Sequence, residues 1–133
     1  MDYAFRLDFK VRDYECDIQG IVNNGVYLNY LEHARHEYLL ASGVDFAALA
    51  KNSINLVVTR AELDYKTPLR SGDGFWVGLN ARQSTTLRFE FLQHIYRSCD
   101  GRLVLKAVIT GTSINERGRP FVSEEISGLF QRK

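Results

Sequence analysis

The stretch DIQGIVNNG, residues 17–25, places one Asp, two Asn and two glycines just before an apolar-periodic segment. An ionised Asp17 can attack an electrophilic carbon or take a proton from water. The segment after Gly25 repeats like a helix, and the first N–H groups of a helix can stabilise negative charge on a bound group. These residue types therefore allow a carboxylate to act on a group held at a helix N-terminus.

The same residues also fit a purely local role. Asn24-Gly25 is a strong hairpin signal, although no returning strand follows it. Asp17 can accept a hydrogen bond from the backbone of its own turn, and Asn24 can cap the helix. From spacing alone, this local role is the simpler interpretation.

The composition bounds the partners and the compartment. A chain of 133 residues predicts one domain, residues 1–133, and its net charge of +1 gives no electrostatic case for nucleic acid or an anionic membrane. No apolar run approaches the ~20 residues that a membrane span requires. Cys16 and Cys99 lack metal-ligand spacing, so neither a metal nor a cofactor is indicated. No signal peptide is visible, and we expect reduced thiols in a cytoplasmic protein.

The elements that must position these residues follow from hydrophobic periodicity. Residues 5–11 alternate apolar and polar side chains and predict a strand. Apolar residues then recur at three- and four-residue steps from Val26, with Asn24 as the predicted N-cap and Gly43 as the predicted stop of a long helix. Further strands are predicted at 56–66, 75–83, 86–97 and 102–114, and short helical segments at 45–52 and 123–130.

This order predicts an α+β fold, in which one long helix lies against a five-stranded antiparallel sheet. In the strand at 56–66, one face carries Val57, Thr59, Ala61, Leu63 and Tyr65, and the other carries the charged residues Arg60, Glu62, Asp64 and Lys66. One helix covers only part of five strands, so we expect a second subunit to bury the remaining apolar surface.

Two motifs carry a resemblance to a known family. An Asp, a Gly three residues later, then VNN and a Tyr at the start of a helix containing EHAR resemble the hydroxybenzoyl-CoA thioesterase-like group of hot-dog proteins. RAELDYKTPLRSGD, residues 60–73, is similar to the second signature of that group. One difference lies at Asn24, because many bacterial relatives have His there, whereas others have Asn.

The resemblance implies a fold and an activity. The fold is the hot-dog fold, a curved sheet wrapped around a central helix, in a homodimer that often pairs into a homotetramer. The implied activity is hydrolysis of acyl-CoA or acyl-carrier-protein thioesters. The resemblance places the family's catalytic carboxylate at Asp17, as nucleophile or as general base. We assign the oxyanion donor to the backbone N–H of Asn24 or Gly25, because Gly25 has no Cβ to obstruct a carbonyl.

A coenzyme A substrate would need cations for its phosphates. Arg60, Lys66 and Arg70 fall within one predicted strand and the turn after it, so they are the candidate substrate-binding residues. An ordinary solvated face, with Arg60 paired to Glu62 and Asp64, explains these residues equally well.

Other residues offer alternative chemistry. A second hot-dog lineage takes its carboxylate from the central helix, which would select Glu32 or Glu37. For Glu32, a surface pair with Arg35 or His36 is the simpler explanation. His33 and His36 also raise a dehydratase alternative. A non-catalytic acyl-thioester-binding dimer is the competing class of function.

Overall fold

The computed structural model describes residues 2–44, 46–51 and 53–120. The predicted helix at 123–130 lies outside these residues. The elements are β1 (Phe5–Lys10), a short 3-10 turn (Asp13–Glu15), α1 (Asn24–Ala41), α2 (Phe46–Lys51), β2 (Asn55–Tyr65), β3 (Gly74–Gln83), β4 (Phe89–Arg97) and β5 (Leu103–Ile114).

The five strands form one antiparallel sheet in the order β1-β3-β4-β5-β2. Strands β3, β4 and β5 lie side by side in chain order. Strands β1 and β2, which α1 separates in the chain, lie at the opposite edges of the sheet. A long helix against a five-stranded antiparallel sheet confirms the predicted α+β class, and the architecture is the hot-dog fold.

Helix α1 packs one face against the sheet. Its buried residues are Tyr27, Tyr30, Leu31, Ala34 and Leu39, and the first four follow the three- and four-residue spacing seen in the sequence. The helix ends where predicted, since Gly43 has a φ of +88° and the N–H of Val44 donates back to the carbonyl of Leu39. The sheet contributes fully buried side chains from β3, β4 and β5, including Phe75, Leu79, Ile95, Leu105 and Ile109.

The edge strand β2 is exposed along most of its length. On its less charged face, Thr59, Ala61 and Tyr65 are exposed, and only Val57 and Leu63 are half-buried. The cause is its place in the sheet, because β5 is the only neighbour of β2 in the part of the chain that the structure describes, and a bulge after Val58 shifts their register. Alternation along a strand shows its two faces but not what covers them.

The N-terminal residues form a strap across the outer face of the sheet. Asn80 accepts a hydrogen bond from the N–H of Ala4 at 2.8 Å and donates to the carbonyl of Asp2 at 3.0 Å. The hydroxyl of Tyr3 lies 2.7 Å from His94 Nδ1 and 2.7 Å from the hydroxyl of Tyr96. His94 therefore has a hydrogen-bond partner 91 positions away in the sequence.

Two further findings concern the described part of the chain. None of its helices is both long enough and apolar enough to cross a membrane. In the same residues, no group of three His, Cys, Asp or Glu side chains is arranged to hold a metal ion.

Candidate active site

The loop before α1 is held by backbone hydrogen bonds on both sides. Cys16 and Val22 form an antiparallel bridge, and the N–H of Asp17 donates to the carbonyl of Ile21 at 2.8 Å. Ile21 forms a second bridge with Arg70, and the N–H of Val22 donates to the carbonyl of Leu69 at 2.9 Å. The chain around Asp17 is therefore a small ordered ladder, which fixes where the carboxylate stands.

Asp17 projects from this ladder into solvent. Its Oδ1 accepts a hydrogen bond from the N–H of Gln19 at 2.9 Å, which is the Asx-type turn expected for a local role. No donor among the described residues contacts its Oδ2, so one carboxylate oxygen is open to a ligand. The turn bond and a chemical role are compatible, since they use different oxygens.

The start of α1 corrects the predicted cap by one residue. Asn23, not Asn24, is the N-cap, because Asn23 has extended backbone angles and its Oδ1 accepts from the N–H of Gly25 at 3.0 Å. Asn24 is the first helical residue. The carbonyl of Asn23 accepts from the N–H of Val26 at 2.9 Å. Of these first three helical N–H groups, only that of Asn24 has no acceptor among the described residues.

Two tyrosines fasten the helix start to the segment after β2. Tyr27 accepts a hydrogen bond from the N–H of Leu69 at 3.1 Å, and Tyr65 donates to the carbonyl of Asn24 at 3.3 Å. Burial raises the pKa of Tyr27 above its ordinary value, so the hydroxyl stays neutral and can accept this bond. The two signature motifs, far apart in the sequence, therefore meet here through direct contacts.

A carboxylate that the sequence did not single out lies behind the loop. Glu15 is half-buried, and its Oε1 accepts from the hydroxyl of Tyr30 at 2.8 Å and from the N–H of Arg12 at 2.8 Å. Burial and this bond raise the pKa of Tyr30, which keeps Tyr30 a donor. Glu15 joins the loop to the buried face of α1. The contact spans fifteen residues, and no local pattern indicates it.

The three candidate cations are not gathered in one place. Arg70 is brought to the Asp17 loop by its bridge with Ile21, and Lys66 is exposed directly after Tyr65, whose hydroxyl reaches Asn24. Arg60 precedes Lys66 by six residues, which is about 20 Å along the extended chain at 3.3 Å per residue. Its Nε is 3.3 Å from Glu62, so the local pair expected for a solvated face is present.

The alternative residues on α1 lie further along the helix than the Asp17 loop. Glu32 and His36 line a groove between α1 and strands β2, β4 and β5, with a volume of about 200 Å³, which we call the α1 groove. His33 lines a separate cleft between α1 and β1. Glu32 stands eight residues into the helix from Asn24, about 12 Å along the axis. No residue of the Asp17 loop lines the α1 groove.

Comparisons with known proteins agree with this fold. The family profile of the Thioesterase-like superfamily matches residues 11–128. An acyl-acyl carrier protein thioesterase of Arabidopsis thaliana, ATL3, is 33% identical over 120 residues, which cover 90% of this chain and 63% of that protein. This chain therefore spans less than two thirds of the plant protein's length. The long-chain acyl-CoA thioesterase FadM of Escherichia coli is 30% identical over 106 residues, with 80% of each chain covered.

A solved structure extends the comparison to the whole fold. A thioesterase of Thermus thermophilus, solved in complex with coenzyme A and Zn, superposes with a TM-score of 0.82 at 26% identity and covers 98% of this chain and 100% of its own. The region that matches the family profile contains the Asp17 loop, α1 and strands β2 to β5. The chain accordingly belongs to the Thioesterase-like superfamily.

Proposed function

We propose that this protein is a thioesterase that hydrolyses acyl-CoA or acyl-carrier-protein thioesters to a free acid and a thiol. One observation carries the proposal. Asp17, an exposed carboxylate with one oxygen free of hydrogen bonds to described residues, lies in the hydrogen-bonded loop that leads directly into α1, where the N–H of Asn24 has no acceptor among the described residues. The names of ATL3, FadM and the coenzyme A complex from Thermus thermophilus support this class of substrate.

In the proposed reaction, the thioester carbonyl binds at the start of α1. The N–H of Asn24 donates to its oxygen as negative charge develops there, and the helix dipole favours that charge. The N–H of Gly25 would have to leave Asn23 before it could help. An added Cβ at Gly25 would meet only Asn23 Oδ1 at 3.6 Å, an ordinary contact, so the fold itself leaves room that a bound carbonyl can use.

Asp17 then supplies the chemistry by one of two routes. As a nucleophile, its carboxylate oxygen adds to the carbonyl carbon, the C–S bond breaks, and water hydrolyses the resulting anhydride. As a general base, Asp17 takes a proton from water, whose oxygen adds to the same carbon before the thiolate leaves. Neither route requires a metal or a cofactor, since a thiolate is a competent leaving group.

The proposal includes contacts to the coenzyme. Lys66 and Arg70 directly follow Tyr65 and Leu69, which touch the start of α1, so they are the cations that we propose for its phosphates. Arg60 remains a candidate, but its pair with Glu62 and its distance along β2 favour a structural role.

We further propose a homodimer as the smallest stable species, with a dimer of dimers as its extension. Val58 and Tyr65 on the edge strand β2 are 52% and 49% exposed, and among the described strands β2 pairs only with β5. Sedimentation at micromolar concentration should show a dimer, and a compact folded monomer would contradict the prediction. A single domain over residues 1–133 and a cytoplasmic location stay predictions.

The decisive experiment compares two carboxylates. Asp17→Asn keeps the size of the side chain but removes the basic oxygen, so kcat should fall at least ~100-fold on a panel of acyl-CoA substrates followed by release of free thiol. Circular dichroism and dimerisation should not change. Glu116→Gln, which alters an exposed carboxylate in the turn after β5, is the matched control.

Glu32→Gln tests the rival assignment. If Glu32→Gln abolishes turnover while Asp17→Asn retains most of it, the catalytic carboxylate belongs to the helix and the assignment to Asp17 is wrong. If the wild-type protein binds acyl-CoA but hydrolyses no member of the panel, the non-catalytic binding module replaces the enzyme.

A further inference from the structure

The α1 groove is apolar except at one wall. Among the described residues, its lining consists of Glu32, Arg35, His36 and Leu39 from α1, with Leu56, Val57, Val58, Phe89, Phe91, Ile109 and Gly111 from the sheet. A dry cavity of about 150 Å³ lined by similar apolar side chains is enough to bind benzene. The groove, at about 200 Å³, can therefore hold part of a hydrocarbon chain.

A guanidinium stands in this apolar lining. Arg35 is half-buried, and its Nη1 donates to Gln93 Oε1 at 3.1 Å. Gln93 is fully buried, and its own amide donates to the carbonyl of Leu31 at 3.0 Å. The carbonyl of Leu31 thus orients the amide of Gln93, and the amide oxygen of Gln93 in turn orients the guanidinium of Arg35. A side chain that was merely covering the surface would not need a fully buried amide to orient it.

Most of the donors of Arg35 are uncommitted. A guanidinium has five N–H groups, and the bond to Gln93 is the one hydrogen bond that Arg35 makes with the described residues. No buried side-chain nitrogen or oxygen in this part of the chain lacks a partner, so the other donors reach accessible space at the groove. Burial lowers the pKa of Arg35 below its ordinary value, so the guanidinium lies in a partly desolvated place.

The guanidinium of Arg35 also lies over the ring of Phe91, 6.0 Å from its centroid, but this contact uses none of its N–H groups. The best acceptor for the uncommitted N–H groups is a neutral oxygen. The nearby carboxylate of Glu32 acts electrostatically on Arg35, so the wall carries both charges and offers little net attraction to a second anion. A hydroxyl or keto oxygen accepts from Arg35 without adding charge. An alkyl chain would instead leave the donors facing hydrocarbon, which is unfavourable.

The position of Arg35 fixes where that oxygen lies on the substrate. This step rests on the proposed function, with the thioester carbonyl at Asn24. Arg35 follows Asn24 by eleven residues, about 16 Å along the helix axis, and helical side chains lean back toward the N-terminus by up to about one turn. An extended alkyl chain advances roughly 1.25 Å per carbon, from C–C bonds of about 1.5 Å. The oxygen would then lie roughly nine to thirteen carbons from the carbonyl.

We propose that Arg35 is a specificity-determining residue of the thioesterase site, which selects acyl chains that carry a neutral oxygen near their distal end. Two substrates of equal length test this directly: dodecanoyl-CoA and ω-hydroxydodecanoyl-CoA. The wild-type protein should favour the ω-hydroxy substrate in kcat/KM by about 10- to 100-fold, the range expected for one hydrogen bond to a charged group. β-Hydroxydodecanoyl-CoA, with its oxygen near the carbonyl, should gain nothing through Arg35.

Arg35→Met keeps the length of the side chain and removes its donors, so the preference should disappear. Arg88→Met, an exposed arginine outside the α1 groove, is the matched control and should retain it. Equal kcat/KM values for the two substrates in the wild-type protein would overturn the proposal without any variant. That result is also expected if a second copy of the chain satisfies Arg35 in the dimer.

A binding measurement separates this proposal from the proposed function. Titration calorimetry with ω-hydroxydodecanoate and dodecanoate should show the same preference for the free acids. If that preference is present but no thioester is hydrolysed, the selection by Arg35 is supported and the proposed thioesterase activity is wrong. If thioesters are hydrolysed but Arg35→Met has an unchanged preference, the activity stands and the selection falls.

Discussion

The cap of α1 provides a test that links stability to activity. Asn23→Ala removes the side-chain acceptor of the Gly25 N–H, a bond of 3.0 Å at an exposed helix end. Loss of such a cap typically costs about 1 kcal/mol. For a chain of this size, the melting temperature should fall by roughly 3–5 °C, which a thermal denaturation curve measures.

The effect on catalysis should be larger than this loss of stability suggests. Asn23 immediately precedes Asn24, whose N–H is the proposed oxyanion donor, and a misplacement of about 1 Å can cost up to ~100-fold in rate. We therefore expect kcat to fall about tenfold or more with an acyl-CoA that the wild-type protein hydrolyses. KM should change less, because the donor acts on charge that develops in the transition state.

Asn23→Ser is the control, because serine also caps helices and should restore most of both properties. If Asn23→Ala lowers the melting temperature while kcat stays within about twofold of wild type, the helix start does not act on the reacting carbonyl. If the melting temperature does not change, the cap itself has been assigned to the wrong residue.

Two further predictions concern charge. Lys66→Ala and Arg70→Ala should raise KM for acyl-CoA and leave kcat nearly intact, because phosphate contacts are equal in ground and transition states. The kinetics with acyl-pantetheine, which lacks those phosphates, should not change. Equal losses with both substrates would indicate that the two residues serve the fold. Burial and the neighbouring Lys106 lower the pKa of His94 below its ordinary 6.5. Below pH 6.5 the unfolded chain therefore binds more protons at His94 than the folded chain does, and the free energy of unfolding should fall as the pH drops. Urea unfolding across this range should show a flatter dependence for His94→Gln, and an unchanged slope would refute the assignment.

The sequence was sufficient for elements whose signal is local. The three- and four-residue spacing from Val26 predicted α1, and Gly43 predicted its end, because both depend on the helix alone. The choice between Asn23 and Asn24 as the cap could not be made in this way. Adjacent asparagines have the same capping propensity, and only the extended backbone of Asn23 decides between them.

Contacts between distant residues were beyond prediction from one sequence. Glu15 meets Tyr30, and Arg35 meets Gln93 fifty-eight residues later, through packing that no periodicity encodes. The exposure of Tyr65 depended likewise on sheet order, which makes β2 an edge. For the candidate site, the loop and the helix start could be named in advance, whereas the distribution of free and committed donors within them required the structure.

The ladder around Asp17 has a consequence for how the site fluctuates. The amides of Val22, Asn23 and Leu69 each donate to another part of the site, to Leu69, Glu15 and Tyr27 respectively. These three amides should therefore exchange with deuterium together, as one cooperative opening event, and not as independent loop motions. The Asp17 carboxylate is exposed while these hydrogen bonds are formed, so a substrate can reach it without the opening of the loop.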